Sequence, residues 1–309
     1  MIPRPAAYKS MLASTSASSS ELPTIDWTKF RQWVDAQYTR HHADSLYRNA
    51  KRHSQALLDT SSAAQLRTLT PDSRRHAMQS LAALSKFMGV YENWQMVRKQ
   101  SGLKWQGNGA VSVVHALLNQ DAANAIPSLK EILPRMPSMH RMPLVFAALS
   151  GLRPSEACKA CELVYQLNKE GKLSEYYDSE LSMLQHYKYP QWFLRRTKNA
   201  YISFVSNKLI EVVAVTPPTT YWGVAMVLKR SDLPFQFKDL RKAFATMLRK
   251  NLEREMIDLV QGRVDGSVFV KHYYRPLIKE LRDRVLAATG GLEEELLPLI
   301  ERPTTATPP

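Results

Sequence analysis

Apolar residues recur at helical spacing over most of this chain. Trp27, Phe30, Trp33 and Val34 fall on one face behind Asp26, a residue suited to cap a helix N-terminus. A second run follows Asp44 and carries Leu46, Ala50, Leu57 and Leu58, and a third short run covers Ser61 to Leu69. Thr70-Pro71-Asp72 is a start signal, because proline is preorganised for the first helical turn. The run after it places Met78, Leu81, Leu84, Met88 and Tyr91 on one stripe. Four helices of this kind predict a compact N-terminal bundle over residues 25–105.

Gln106 to Gly109 is a polar, glycine-containing break, read as a domain boundary. Beyond it the pattern predicts helices at Gly109–Leu118, Ala122–Leu133 and Met142–Leu149, and again at Phe237–Lys250 and Leu252–Val260. Alternation in Tyr201-Ile-Ser-Phe-Val predicts a short strand in a mixed region between them. A second domain therefore spans residues 108–290. Residues 291–309 form a C-terminal helix and tail; the stretch from Gly291 to Ile300 is amphipathic and fits either a neighbouring copy or its own domain. Residues 1–24 are Ser-rich and read as a disordered lead, and Glu301 to Pro309 is rich in Pro and Thr.

Charge changes the picture. The chain of 309 residues carries 42 Lys plus Arg against 28 Asp plus Glu, a net +14. Such an excess suits a polyanionic partner, since each cation that meets a phosphate releases a condensed counterion. On the first bundle, Arg48, Lys51, Arg52, Arg74, Arg75 and Lys86 occupy the polar faces, where they suit phosphate contacts. Taken singly, each also fits a solvated helix face. No stretch approaches the ~20 apolar residues of a membrane span, and no apolar signal-peptide core opens the chain. The only two cysteines, Cys158 and Cys161, form a lone CxxC without the second pair that a zinc site needs. They read as small helical residues.

Five separated pieces carry candidate chemistry. They are Leu149-Ser-Gly-Leu-Arg153-Pro-Ser-Glu156, Arg195-Arg-Thr-Lys198-Asn, Phe237-Lys238-Asp-Leu-Arg241, Gln261-Gly-Arg263, and Lys271-His272-Tyr273-Tyr274-Arg275. Each supplies cations, and the last supplies a tyrosine pair. In this order they resemble the tyrosine recombinase family, whose pattern runs Arg, Lys on a β-hairpin, His-x-x-Arg, His or Trp, then Tyr. Lys238 stands where His is more usual, and Arg263 stands where the family has His. Those departures, with the terminal His-Tyr-Tyr, resemble most the integrases of archaeal viruses and plasmids of the fusellovirus type. The segment Thr70-Pro-Asp-Ser-Arg-Arg-His-Ala-Met with Phe-Met-Gly-Val-Tyr91 is similar to that group's core-binding domain.

The resemblance implies a mainly α fold: an N-terminal helical core-binding bundle, then an α-rich catalytic domain with a small antiparallel β-sheet. It implies a nucleophile, Tyr273, that forms a 3′-phosphotyrosine with DNA. Arg153 and Arg241 would grip the nonbridging oxygens, as a planar guanidinium suits them. Lys198 would protonate the 5′-oxygen; Lys188, Lys208, Arg195 and Arg196 compete for that role. Lys238 and Arg263 would support the phosphate, Glu156 would orient an arginine, and His272 is either a proton shuttle or a structural histidine. Tyr274 competes with Tyr273, and the subgroup's order of His then Tyr favours Tyr273. No metal, nucleotide or other cofactor is expected, since the arginines supply the positive charge. The implied partners are double-stranded att-site DNA at a tRNA gene and three further copies in a tetramer, in the cytoplasm. Two other classes stay open: a DNA-binding protein on the same scaffold without chemistry, and a type IB topoisomerase.

Overall fold

The computed structural model describes residues 24–105, 114, 118, 121–195, 198–231, 235–263 and 277–301, with side chains omitted at 121–123. The Ser-rich lead, most of the helix expected at Gly109–Leu118, Arg196, the whole segment from Lys271 to Arg275 and the terminal tail lie outside the described residues. The chain divides into two compact units, Met1–Val113 and Val114–Pro309. The described residues are mainly helical, with one three-stranded antiparallel sheet among them.

The first unit is built on α1 (Trp27–Gln37), α2 (Arg40–His53), α3 (Thr60–Gln65), α4 (Pro71–Phe87) and α5 (Tyr91–Gln100). The caps follow the sequence signals. The Asp26 carboxylate accepts from the Lys29 N–H at 3.0 Å, and Thr70 Oγ accepts from the Ser73 N–H at 3.4 Å ahead of Pro71. Packing of α2 along α4 forms the spine of the unit. Both bury small residues, Ala43 and Ala50 on one and Ala77 and Ala83 on the other, beside Leu46, Leu81 and Leu84. Each of those leucines contributes roughly 1.5–3 kcal/mol by leaving water. Trp27, Phe30, Trp33, Tyr47 and Phe87 close one end as an aromatic cluster, with the Phe30 and Phe87 rings 5.4 Å apart.

Three expectations for this unit change. The bundle has a fifth helix, because Gly89 adopts φ +74 and ends α4 after Met88. The Val90 N–H then bonds the Ser85 carbonyl at 2.8 Å, and Tyr91 opens α5 instead of extending the α4 stripe. The second helix starts at Arg40, before Asp44, and Leu57 ends a separate 3₁₀ turn, Ser54–Leu57. The third run is also split, with α3 followed by the turn Leu66–Thr68.

The second unit surrounds α7 (Met142–Ser150), every residue of which is buried. A helix apolar on all sides must be central. Around it lie α6 (Asp121–Ile132), α8 (Pro154–Lys169), α12 (Asp239–Leu248) and α14 (Ile278–Glu301), with α9 (Pro190–Phe193), α10 (Asn207–Val215), α11 (Tyr221–Arg230) and α13 (Arg254–Val260) completing the unit. The sheet is small: β1 (Tyr177–Asp178), β2 (Met183–Leu184) and β3 (Ser203–Phe204), with Tyr177 opposite Leu184 and Met183 opposite Phe204. The strand expected over Tyr201 to Val205 thus pairs only at its centre. Cys158 and Cys161 are both buried in α8. Burial pushes the Cys158 thiol up to about 12 and raises Cys161 as well, which keeps both protonated.

The C-terminal helix packs on its own domain. It begins at Ile278, ahead of the expected start at Gly291, and buries Leu296, Leu297, Leu299 and Ile300 in the main core. Arg141 fastens its end. That fully buried guanidinium donates to the Leu299 and Ile300 carbonyls at 3.0 and 3.2 Å and to Met136 O at 2.9 Å. A cation there meets the negative end of the helix dipole.

Candidate functional site

The centre of the site is Arg241, in the first turn of α12. Its Nη1 donates to the Gly151 carbonyl and its Nη2 to the Gln261 carbonyl, both at 2.5 Å. Each acceptor caps the C-terminus of a helix, α7 and α13, so the guanidinium bridges two negative dipole ends. Gln261 answers with its Nε2, which donates to the Arg241 carbonyl at 3.1 Å. Burial pushes Arg241 down to about 10; the Arg153 charge adds to this, Glu156 opposes it, and Arg263 adds again. The guanidinium stays charged at neutral pH, within the field of two other arginines.

Arg153 sits at the N-terminus of α8. Its backbone N–H donates to Glu156 Oε2 at 3.1 Å, half of a capping box, and its Nη1 donates to Glu156 Oε1 at 2.9 Å. The same Nη1 reaches the Asn199 carbonyl at 3.2 Å. Glu156 is fully buried, so these bonds offset the cost of desolvating its carboxylate. Glu156 thus bonds Arg153 through both its backbone N–H and its guanidinium.

Glycines bring the remaining pieces together. A Cβ on Gly151, which holds φ +68, would lie 2.2 Å from the Phe244 ring on α12. A Cβ on Gly262, at φ +66, would lie 2.1 Å from the Asn199 carbonyl oxygen. Only glycine permits either approach. The turn before Arg263 therefore lies directly on the backbone that follows Lys198. Four of the five sequence pieces meet here: those of Arg153, Lys198, Arg241 and Arg263.

Lys198 is exposed on the long connection between paired strands β2 and β3, which contains α9 and is no tight hairpin. Among its competitors, Lys188 donates to the Glu175 carbonyl at 3.0 Å, and Lys208 is exposed on α10. Arg195 reaches Ser155 Oγ at 3.3 Å, beside Arg153, and adds a further cation to the cluster. Arg263 is largely exposed and faces Asp258 at 3.4 Å. Lys238 is exposed at the start of α12, where it lines an apolar groove of about 270 Å³ with Pro154, Tyr221, Leu228 and Phe237. Tyr273, Tyr274 and His272 lie outside the described residues.

Asn199 and Gln261 carry no predicted role in the sequence pattern, yet both hold the cluster together. Both are buried polar residues whose carbonyls hold the two arginines. The only signal was their position beside a candidate cation. Arg195 appeared as a competitor of Lys198 and emerges as a neighbour of Arg153.

The first unit's cations divide into two groups. Arg48, Lys51 and Arg52 are exposed together on α2. On α4, Arg74 donates to the Arg67 carbonyl at 3.4 Å, Arg75 pairs with Asp72 at 3.1 Å, and Lys86 Nζ lies 5.0 Å from the Tyr91 ring centre. On α2, Arg48 Nε likewise donates to the Asp44 carbonyl at 3.3 Å, while Lys51 and Arg52 are exposed.

The second-unit cluster fixes Arg153 and Arg241 through backbone carbonyls, and each lies within the field of the other's charge. Among the described residues no group of three or more His, Cys, Asp or Glu could hold a metal ion, and no helix is long and apolar enough to cross a membrane. No protein-family model, curated protein or solved structure matches this chain.

Proposed function

We propose that this protein is a site-specific DNA recombinase of the tyrosine type, an integrase that moves a mobile genetic element. The observation that carries the reading is the cation cluster around Arg241. Separate stretches of chain, each with the residue type the chemistry needs, are tied to one another through backbone carbonyls. Preset donors aimed at developing charge are each worth about 10²–10³ in rate.

In this reading the Tyr273 phenolic oxygen attacks the scissile phosphorus and passes its proton to water. The bond from phosphorus to the 5′-oxygen breaks, and that oxygen takes a proton from Lys198. A 3′-phosphotyrosine remains and preserves the bond energy, so religation needs no nucleotide cofactor. Arg153 and Arg241 hold the nonbridging oxygens throughout, and Lys238 and Arg263 support the phosphate. The basic face of α2 holds duplex DNA through phosphates. A tetramer on two att sites, a tRNA-gene target and an origin in an archaeal virus or plasmid follow from the same family resemblance.

The test is covalent capture. The probe is a duplex that the protein selects from a random-sequence pool, labelled and nicked at successive positions. The expected result is a protein–DNA adduct that survives denaturation, is lost in Tyr273→Phe and persists in Tyr274→Phe. Absence of an adduct at every nick position would reduce the protein to a DNA binder. Relaxation of supercoiled plasmid without sequence preference would point to a topoisomerase.

A further inference from the structure

Lys198 is exposed and, among the described residues, has no hydrogen bond or ion pair, so its position depends on the connection that carries it. That connection is tied at successive levels. At its base, His186 lies two residues after β2 and Ser203 opens β3, and the His186 Nε2 and Ser203 Oγ are 2.9 Å apart. Next, the Tyr187 N–H donates to the Tyr201 carbonyl at 3.0 Å. Further out, the Ala200 N–H donates to the Phe193 carbonyl at 3.0 Å, and the Arg195 N–H donates to Asn199 Oδ1 at 2.7 Å. The rungs narrow toward Lys198.

The base rung is unusual in its chemistry. His186 is fully buried, and its other nitrogen, Nδ1, lies 2.7 Å from the Tyr176 hydroxyl. Its ring rests on Phe193, with centroids 4.5 Å apart. An apolar residue would fill this space without desolvating an imidazole. Imidazole offers one donor and one acceptor on opposite edges, and each hydroxyl partner can serve in either role. It can therefore bridge a tyrosine fixed beside β1 to the β3 serine at the far end of the connection. Ordinary side-chain packing does not supply that link.

We propose that His186 is a positioning residue that acts through Ser203 to hold the β2–β3 connection, and with it Lys198, at the scissile phosphate. This rests on the reading of Lys198 as the acid that protonates the 5′-oxygen. No role in substrate contact is assigned to His186 itself.

The test uses a leaving group that needs no acid. The selected duplex is made in two forms, with oxygen or with sulfur at the 5′-bridging position of the scissile phosphate. A thiol has a reference pKa of about 8.5, so its anion departs without a proton at neutral pH. Ser203→Ala and His186→Leu are expected to slow cleavage of the oxygen duplex at least tenfold. Both should cleave the sulfur duplex within twofold of the unaltered protein, in parallel with Lys198→Ala. Ile210→Val, a core change in the same unit, controls for lost stability and should not separate the two duplexes. The proposal is overturned if Ser203→Ala slows both duplexes equally, or slows neither, while Lys198→Ala is rescued by sulfur. If Lys198→Ala is not rescued, the reading of Lys198 as the acid has failed, a separate result that removes the proposal's basis.

Discussion

Arg241→Lys separates what the guanidinium does for the fold from what the proposed function asks of it. The arginine spans two carbonyls on different loops, Gly151 and Gln261, each 2.5 Å away. A single ammonium keeps the charge but lacks the planar fork, so one carbonyl loses its partner. A buried acceptor left unsatisfied costs about 1–3 kcal/mol. The buried ammonium meets the same burial and the same neighbouring Arg153 charge, so this loss is not offset. For a unit of this size about 1–3 kcal/mol corresponds to a fall of roughly 2–12 °C in the melting temperature. On the proposed function, loss of the arginine's grip on the nonbridging oxygens should slow covalent capture by about 10²–10³. Affinity for duplex DNA should change little, since the count of cations is unchanged. Melting scans, capture rates on the nicked duplex and filter binding measure the three quantities separately. Capture within threefold of the unaltered protein, at a temperature where both are folded, would make Arg241 a structural bridge only.

Two further predictions concern each unit separately. Replacement of Arg48, Lys51 and Arg52 by Gln should flatten the dependence of DNA affinity on salt, by up to ~0.9 in log–log slope for each phosphate that is no longer neutralised; an unchanged slope and affinity would show that α2 does not face DNA. The second concerns His186, which burial holds down to about 3. Its folded pKa lies below the unfolded value of 6.5, so the unfolded chain takes up a proton first as pH falls. Stability from this group is complete above 6.5 and is lost between 6.5 and 3, at about 1.4 kcal/mol per pH unit. His140, also lowered by burial, adds a loss in the same direction. Urea unfolding at pH 7 and pH 5 should show a smaller difference for His186→Gln than for the unaltered protein, and equal differences would refute the assignment.

Local chemistry made much of the fold legible. Asp26 and Thr70-Pro71 mark helix starts because capping is a matter of adjacent residues. The central place of α7 follows from its unbroken apolar run, Met142 to Leu149. Gly89 illustrates where periodicity misleads. The α4 stripe continues in register to Tyr91, yet a left-handed glycine turns the chain, and a hydrophobic pattern does not register φ. The C-terminal helix was ambiguous because an amphipathic face says that it is covered without saying by what. Arg141 resolves this at a separation of more than 150 residues, through bonds to backbone carbonyls that carry no side-chain signature.

The same limit explains what the sequence showed of the site. The cations were visible as residue types in order, whereas the atoms that hold them are carbonyls of Gly151, Asn199 and Gln261. A carbonyl has no letter in the sequence; its only trace is the glycine that lets another segment approach it. Gly262 is that trace for Asn199, and Gly151 for the α12 face. Held this way, the arginines need few carboxylate partners. A carboxylate neutralises a guanidinium and competes with phosphate, whereas a carbonyl fixes its direction and leaves its charge in place. Among the described residues, Glu156, fully buried, is the one acid that pairs with Arg153 or Arg241. The cluster therefore keeps net positive charge that Arg241 already experiences as repulsion, and an incoming phosphate would relieve it.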